Sequence, residues 1–259
     1  MTTKLERSYA RLLRLYPAGY RRERGDEMLD VLLASGATRL SLRERRALIL
    51  GAARCRAGAA DRRDLGTTWR QSAALAAAVL MVYGAGAAIK VEPHEYVPAA
   101  LGVAGILLVF RGWMPAAIGC VVVAYAFPML SDGRLTYSWS FEWLLAAVLL
   151  IPAAMRGGRP GWRQAYLLLL AAALLDPSLT PSMLQTGWLV LLAVVLAWTV
   201  VDERAAIAAG LMLTIGVTFQ TVAELSGIDI ETPYIIMWVL WPAAMLAAGA
   251  LVARRRARI

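Results

Sequence analysis

Residues 72–89 read SAALAAAVLMVYGAGAAI and contain no charged side chain. Similar apolar segments follow one another to residue 253, separated by short polar breaks. A helix of ~20 apolar residues is long enough to cross the hydrocarbon core of a bilayer. The sequence therefore predicts an all-α fold, a polytopic membrane helical bundle of about eight spans. The predicted spans are 72–89, 96–110, 113–131, 141–155, 162–175, 183–201, 205–224 and 233–253, of which 96–110 and 162–175 are short for a full crossing.

Arginine is unevenly distributed among the breaks between these segments. Alternate breaks carry it, whereas the intervening breaks hold mainly acidic side chains. Loops rich in Lys and Arg stay on the cytoplasmic side of a membrane, so this alternation predicts the threading. We therefore expect a multi-pass protein of the bacterial cytoplasmic (inner) membrane with both termini cytoplasmic. The arginine-bearing breaks contain Arg111, Arg156, Arg159, Arg163, Arg204, Arg254, Arg255, Arg256 and Arg258; the other breaks contain Lys90 and Arg134 beside Glu92, Glu95, Asp132, Asp176, Asp229 and Glu231.

Charge divides the 259-residue chain into two parts. Residues 1–71 hold 16 of the 27 Lys and Arg and 8 of the 18 Asp and Glu, a net charge of +8. Residues 72–259 hold the remaining 11 and 10, a net charge of +1. The sequence predicts a basic cytoplasmic helical domain at 1–71 and a transmembrane domain at 72–259. Anionic lipid attracts nearby Lys and Arg, so the lipid bilayer is the expected partner of this charge and nucleic acid is an unlikely one.

The N-terminal domain is predicted to contain three short helices. Apolar side chains recur at helical spacing over residues 5–16, and Pro17 ends this first helix. The second runs from 21 to 33, with Met28, Val31 and Leu32 on its apolar side. The third begins at Ser41, because Ser41 and Glu44 have the spacing of a capping box.

Polar side chains share one face of the predicted seventh span. Two interpretations stay open: a polar site near the outer end of the span, or threonines that hydrogen-bond their own helix carbonyls beside an acid that reaches water. The candidate site residues are Thr214, Thr218, Thr221 and Glu224, with Asp176 and Glu142 as neighbours.

The chain lacks the motifs of common enzymes. No Walker-type phosphate loop, HExxH or GxSxG sequence is present. His94 is the single histidine, which leaves no Ser-His-Asp set and no zinc site. We therefore expect a protein that is not an enzyme and that has no metal and no cofactor.

The sequence LLRLYP at 12–17, followed by YRRERGDEML at 20–29, resembles a known N-terminal module. It is similar to the helical prefix domain of bacterial ABC-type permeases, and to the start of uncharacterised actinobacterial multi-span membrane proteins that are often encoded beside PadR-like regulators or sigma factors. The resemblance implies a cytoplasmic helical domain that contacts a protein partner, namely a regulator, a sigma factor or a permease component. The candidate partner-binding residues are Tyr16, Tyr20, Arg21, Arg24 and Glu27.

These observations lead to two hypotheses about function. The first is a non-enzymatic integral membrane protein whose cytoplasmic domain binds a protein partner in a regulatory or membrane-anchoring role. The alternative is a transporter or a permease-associated subunit that uses the polar site of the seventh span.

Overall fold

The computed structural model describes residues 4–34, 39–58, 64–91, 96–132, 141–165, 168, 190, 193–225 and 235–257. Within these ranges the side chains of 87, 90–91, 128–132, 141, 216–217, 219–225 and 235–239 are not described. The described residues form helices and no strands. The helices are α1 (Lys4–Leu13), α2 (Ala18–Ala34), α3 (Leu42–Ala57), α4 (Leu65–Val91), α5 (Tyr96–Arg111), α6 (Met114–Asp132), α7 (Phe141–Arg156), a 3₁₀ turn (Trp162–Gln164), α8 (Glu203–Leu225) and α9 (Ile235–Ala257).

The predicted membrane architecture is contradicted by the lengths and apolarity of these helices. Nowhere in the described ranges is a helix both long enough and apolar enough to cross a bilayer. Helices α5 and α7, each predicted as a span, have 16 residues and rise about 24 Å, short of a hydrocarbon core of ~30 Å. The first two turns of α4 are polar, with Thr67, Thr68 and Arg70 among their residues.

The predictions of eight spans, of an integral membrane protein and of a multi-pass location in the bacterial cytoplasmic membrane are therefore wrong. The prediction that the arginine-bearing breaks lie on the cytoplasmic side of a membrane depended on those spans, so it is wrong as well. Most of the predicted span 162–175 and about half of the predicted span 183–201 lie outside the described residues.

The chain forms two compact units. The first unit comprises Met1–Arg62 together with Val200–Asp202. The second unit comprises Arg63–Thr199 and Glu203–Ile259. The change in net charge along the sequence had placed the domain boundary after residue 71.

The first unit is a small helical body with its own core. Its buried residues include Leu13, Tyr16, Ala52 and Cys55, with side chains of α2 packed against them. Helix α3 ends at Gly58, which adopts φ 65° and donates its N–H to carbonyls of the last turn. Glycine reaches this left-handed conformation without steric cost, so it ends the helix cleanly.

The second unit is organised around α4. Residues 73–78 of this helix are all buried, since one side of α4 packs against α5 and α7 and another against α8. The buried positions are mainly alanines, which let helices approach closely. Helices α8 and α9 approach closely at Gly249, where a Cβ atom would lie 2.5 Å from Cγ1 of Ile207 and 3.2 Å from the carbonyl oxygen of Glu203.

Candidate functional site

The corner between α1 and α2 brings two predicted partner-binding tyrosines together. Tyr16 and Tyr20 stack with ring centroids 5.5 Å apart and an interplanar angle of 19°. Tyr16 is only 6% exposed, and its hydroxyl lies where a side chain on Gly51 would be. Burial, with smaller effects from Cys55 and Tyr20, raises the pKa of Tyr16. Tyr16 is therefore a core residue that orients Tyr20.

The other predicted partner-binding residues lie on the outer surface of α2. Tyr20 is half-buried, and Arg21, Arg24 and Glu27 are exposed. The guanidinium carbon of Arg24 lies 6.0 Å from the Tyr20 ring centroid, at the limit of a cation–π contact.

The prediction that Val31 lies on the buried, apolar side of the second helix is wrong. This side chain is 67% exposed. Tyr20, Arg24, Glu27 and Val31 follow one another at i, i+4, i+7 and i+11, so they form one stripe of the helix, which we name the α2 face. That spacing was the available signal for including Val31.

The start of α3 is fixed by a capping box, as the sequence predicted. The Ser41 side chain accepts a hydrogen bond from the Glu44 N–H at 3.1 Å, and the Ser41 N–H donates to Glu44 Oε2 at 2.9 Å. The hydroxyl of buried Tyr9 also donates to Glu44 Oε2, at 3.4 Å. The hydrogen bonds from Ser41, with a smaller one from Tyr9, lower the pKa of the Glu44 carboxyl. The contact between Tyr9 and Glu44 joins α1 to α3.

Two threonines of the predicted polar site, Thr214 and Thr218, form hydrogen bonds with carbonyls of their own helix. The Thr214 hydroxyl donates to the Gly210 carbonyl at 2.8 Å, and the Thr218 hydroxyl donates to the Thr214 carbonyl at 2.9 Å. Both residues are exposed. The side chains of Thr221 and Glu224 lie outside the described ones. The described geometry therefore matches the self-bonded interpretation of these threonines.

Glu142, expected only as a neighbour of that site, occupies a partly buried position in the first turn of α7. Its Oε2 atom is buried and has no hydrogen-bond partner among the described residues. Burial raises the pKa of this carboxyl to about 7. Burial and the charge of Glu142 together raise the pKa of Tyr83 on α4. The adjacent Trp143 is buried, and its ring lies where side chains on Gly84 and Gly102 would be.

A second polar cluster lies at the start of α8. Arg204 is 1% exposed and donates from Nη1 to Gln71 Oε1 at 3.1 Å. Glu203 is also buried and forms an ion pair with Arg256 of α9. Arg204 and Arg256 were predicted to lie in polar breaks between apolar segments, and nothing in their local sequence distinguishes them from exposed arginines. These contacts connect α4, α8 and α9.

The described residues contain no group of three or more His, Cys, Asp or Glu side chains that could hold a metal ion. Neither Cys55, which is buried, nor Cys120 takes part in a disulfide bond. His94 and Asp176 lie outside the described residues.

Comparison with known proteins gives no further assignment. Because no protein-family model, curated protein or solved structure matches this chain, the similarity to the permease prefix domain remains a sequence-based prediction.

Proposed function

We propose that the first unit is a protein-binding module and that the chain acts through this contact without catalysing a reaction. The observation that carries the proposal is the α2 face, in which an aromatic ring, two opposite charges and an exposed aliphatic side chain share one helical stripe. Interface hot spots are enriched in Tyr and Arg. The resemblance of residues 12–29 to a permease prefix domain supports a regulator, a sigma factor or a permease component as the partner.

The charge order of α2 also supports a contact outside the helix. Arg21, Arg22 and Arg24 lie in the first half of the helix around Glu23, and three further acidic residues follow at Asp26, Glu27 and Asp30. The helix dipole disfavours a positive charge in the first turn by roughly 0.3–1 kcal/mol, and Arg21 occupies that turn. These side chains are exposed, so they are available to an external partner.

The partner is expected to carry an acidic surface. Exposed arginines cover the described part of the first unit, and complementary charge accelerates encounter with an acidic protein. The exposed arginines are Arg7, Arg11, Arg14, Arg21, Arg22, Arg24, Arg39, Arg43, Arg45, Arg46 and Arg56. Nucleic acid is a poorer match than an acidic protein, because the carboxylates of α2 would be repelled by phosphate groups that approached the same surface.

Site-specific photo-crosslinking in the full chain tests this proposal. A photoreactive amino acid at Val31 should give one discrete protein adduct in the native host, whereas the same group at Arg7 on α1 should not. The purified adduct partner should then bind the full chain directly.

A matched pair of charge-reversal variants tests whether the arginines of α2 contact the partner. Arg21→Glu with Arg24→Glu should weaken partner binding at least tenfold, about 1.4 kcal/mol. Arg7→Glu with Arg11→Glu changes the net charge equally on another helix and should have a much smaller effect. Equal adducts from Val31 and Arg7, adducts dominated by nucleic acid, or equal losses from both reversals would contradict the proposal.

A further inference from the structure

We propose that the second unit carries a binding surface for an anionic phospholipid, formed where α5 and α7 end. We name it the arginine–tryptophan surface. It consists of Arg111, Trp113, Arg156, Arg159 and Trp162, all of them exposed. This proposal concerns the second unit and does not depend on the protein-binding role of the first.

The end of α5 presents one half of the surface. Gly112 adopts φ 85° and donates its N–H to the Val109 carbonyl at 3.0 Å, while the Trp113 N–H donates to the Leu108 carbonyl at 2.9 Å. This pair of bonds is a Schellman motif, which satisfies the last carbonyls of the helix. The turn leaves the Trp113 side chain 64% exposed.

The segment after α7 lies beside the end of α5 and forms the other half of the surface. Gly157 and Gly158 have φ 72° and 152°, and they redirect the chain so that Arg159 lies beside Gly112. A Cβ atom on Gly112 would be 3.2 Å from Cδ of Arg159. Trp162 stacks on buried Phe110, with ring centroids 4.9 Å apart, yet remains 55% exposed.

The surface is strongly cationic. Residues 111–115 and 155–165 contain four arginines and no acidic residue. Asp64 lies near the start of α4, the helix whose Arg70 borders Gly158. Its carboxylate accepts hydrogen bonds from the backbone N–H and the hydroxyl of Thr67, so it serves as a helix cap. Guanidinium groups match the oxygens of a phosphate diester, and exposed tryptophan suits the boundary between polar headgroups and acyl chains.

An apolar stripe on α7 begins next to these cations and identifies the ligand as a lipid. Leu144, Val148, Ile151 and Met155 are exposed at i, i+4, i+7 and i+11, and Arg156 follows Met155 directly. The stripe rises about 16 Å, close to the ~15 Å that the acyl chains of one bilayer leaflet occupy. A water-soluble phosphate or a phosphorylated protein would make no use of it. An anionic phospholipid fits both parts, with its phosphate at the arginines and its acyl chains along α7.

Vesicle flotation of the purified full chain tests the proposal. The chain should bind vesicles of phosphatidylcholine and phosphatidylglycerol at least tenfold more strongly than vesicles of phosphatidylcholine alone. The Arg111→Gln, Arg156→Gln, Arg159→Gln triple variant should lose roughly 10- to 100-fold of that binding. Arg43→Gln, Arg45→Gln, Arg46→Gln removes the same charge from α3 of the first unit. This matched control should lose much less binding than the Arg111, Arg156, Arg159 variant.

Further variants separate the lipid from other ligands. The Arg111→Lys, Arg156→Lys, Arg159→Lys variant keeps the charge and should retain preferential binding to phosphatidylglycerol, which also excludes misfolding as the cause of a loss. Val148→Ser with Ile151→Ser should weaken binding although all arginines remain. Equal binding to both vesicle types, equal loss in the α3 control, full binding by the stripe variant, or displacement by millimolar inorganic phosphate would each overturn the proposal.

Discussion

Glu142 shows, for a single residue, that the environment of a side chain can differ from the one its sequence position suggests. It follows Phe141 and precedes Trp143 at the start of an apolar segment, a position that suggested contact with water. The structure instead buries one carboxylate oxygen, because Trp143 fits against Gly84 and Gly102 and draws the first turn of α7 inward. The sequence around Glu142 contains no pattern that predicts the packing of Trp143 against these two glycines.

The stability of the second unit should depend on pH through Glu142. Its pKa is raised from the ordinary 4.5 to about 7, so the folded state binds the proton more tightly than the unfolded state. The protonated Glu142 carboxyl contributes its full stabilisation of the folded state below pH 4.5. This contribution is lost as the pH rises through 7 and the buried carboxyl ionises. Glu142→Gln should therefore raise the free energy of unfolding at pH 8 by up to ~3 kcal/mol and change it little at pH 4.5. Denaturant unfolding at both pH values checks this, and an equal shift at both would contradict it.

The glycine beside Trp143 should not tolerate a methyl group. A Cβ atom on Gly102 would lie 2.6 Å from Cη2 of Trp143 and 3.2 Å from the Ala85 Cβ, so Gly102→Ala should cost about 1–3 kcal/mol through overpacking. Gly119 on α6 has open space around it, and Gly119→Ala should instead stabilise by about 0.5–1 kcal/mol through helix propensity. Thermal unfolding of the two variants should show shifts of opposite sign.

At the scale of elements, helix boundaries were more predictable than helix environments. The capping box at Ser41 and Glu44 is confirmed, and α1 ends before Pro17. The apolar segments that correspond to α4 to α9 do form helices, but their treatment as membrane spans was wrong. Hydropathy measures how apolar a segment is, whereas the length of α5 is set by Gly112, which ends it after 16 residues.

Removing the α3 cap should weaken the first unit. Ser41→Ala deletes the acceptor for the Glu44 N–H and should cost about 1 kcal/mol, whereas Ser41→Thr keeps a hydroxyl and should cost much less. Hydrogen exchange of the α3 amides in the full chain provides the measurement. Unchanged protection in Ser41→Ala would show that tertiary contacts, such as Tyr9 with Glu44, suffice to hold the helix start.

For the molecule as a whole, sequence composition indicated two bodies but not how distant segments pair. The same arginine-rich pattern contains Arg255, which is exposed, and Arg256, which pairs with a buried acid 53 positions earlier. The α2 face was largely readable from Tyr20, Arg24 and Glu27. The arginine–tryptophan surface was not, because it depends on the loop that returns Arg159 to Gly112.

The Glu203–Arg256 pair should stabilise the contact between α8 and α9. Arg256→Met leaves a nearly buried carboxylate without this partner and should cost about 3 kcal/mol. Arg255→Met removes the same charge from an exposed position and should be nearly neutral. Combining Arg256→Met with Glu203→Gln should recover much of the loss, which a double-mutant cycle in denaturant measures. Equal effects of the two arginine substitutions would contradict this account.

The hydrogen bonds from Arg54 to the Val200 carbonyl, at 3.1 and 3.0 Å, have a consequence for biosynthesis. These residues are 146 positions apart, and a ribosome adding 5–20 amino acids per second needs roughly 7–30 s to make the intervening polypeptide. Throughout that interval the helices of the first unit have been synthesised, but the Val200 carbonyl that later accepts hydrogen bonds from Arg54 has not. Translational pausing between codons 62 and 200 would prolong this unfinished state.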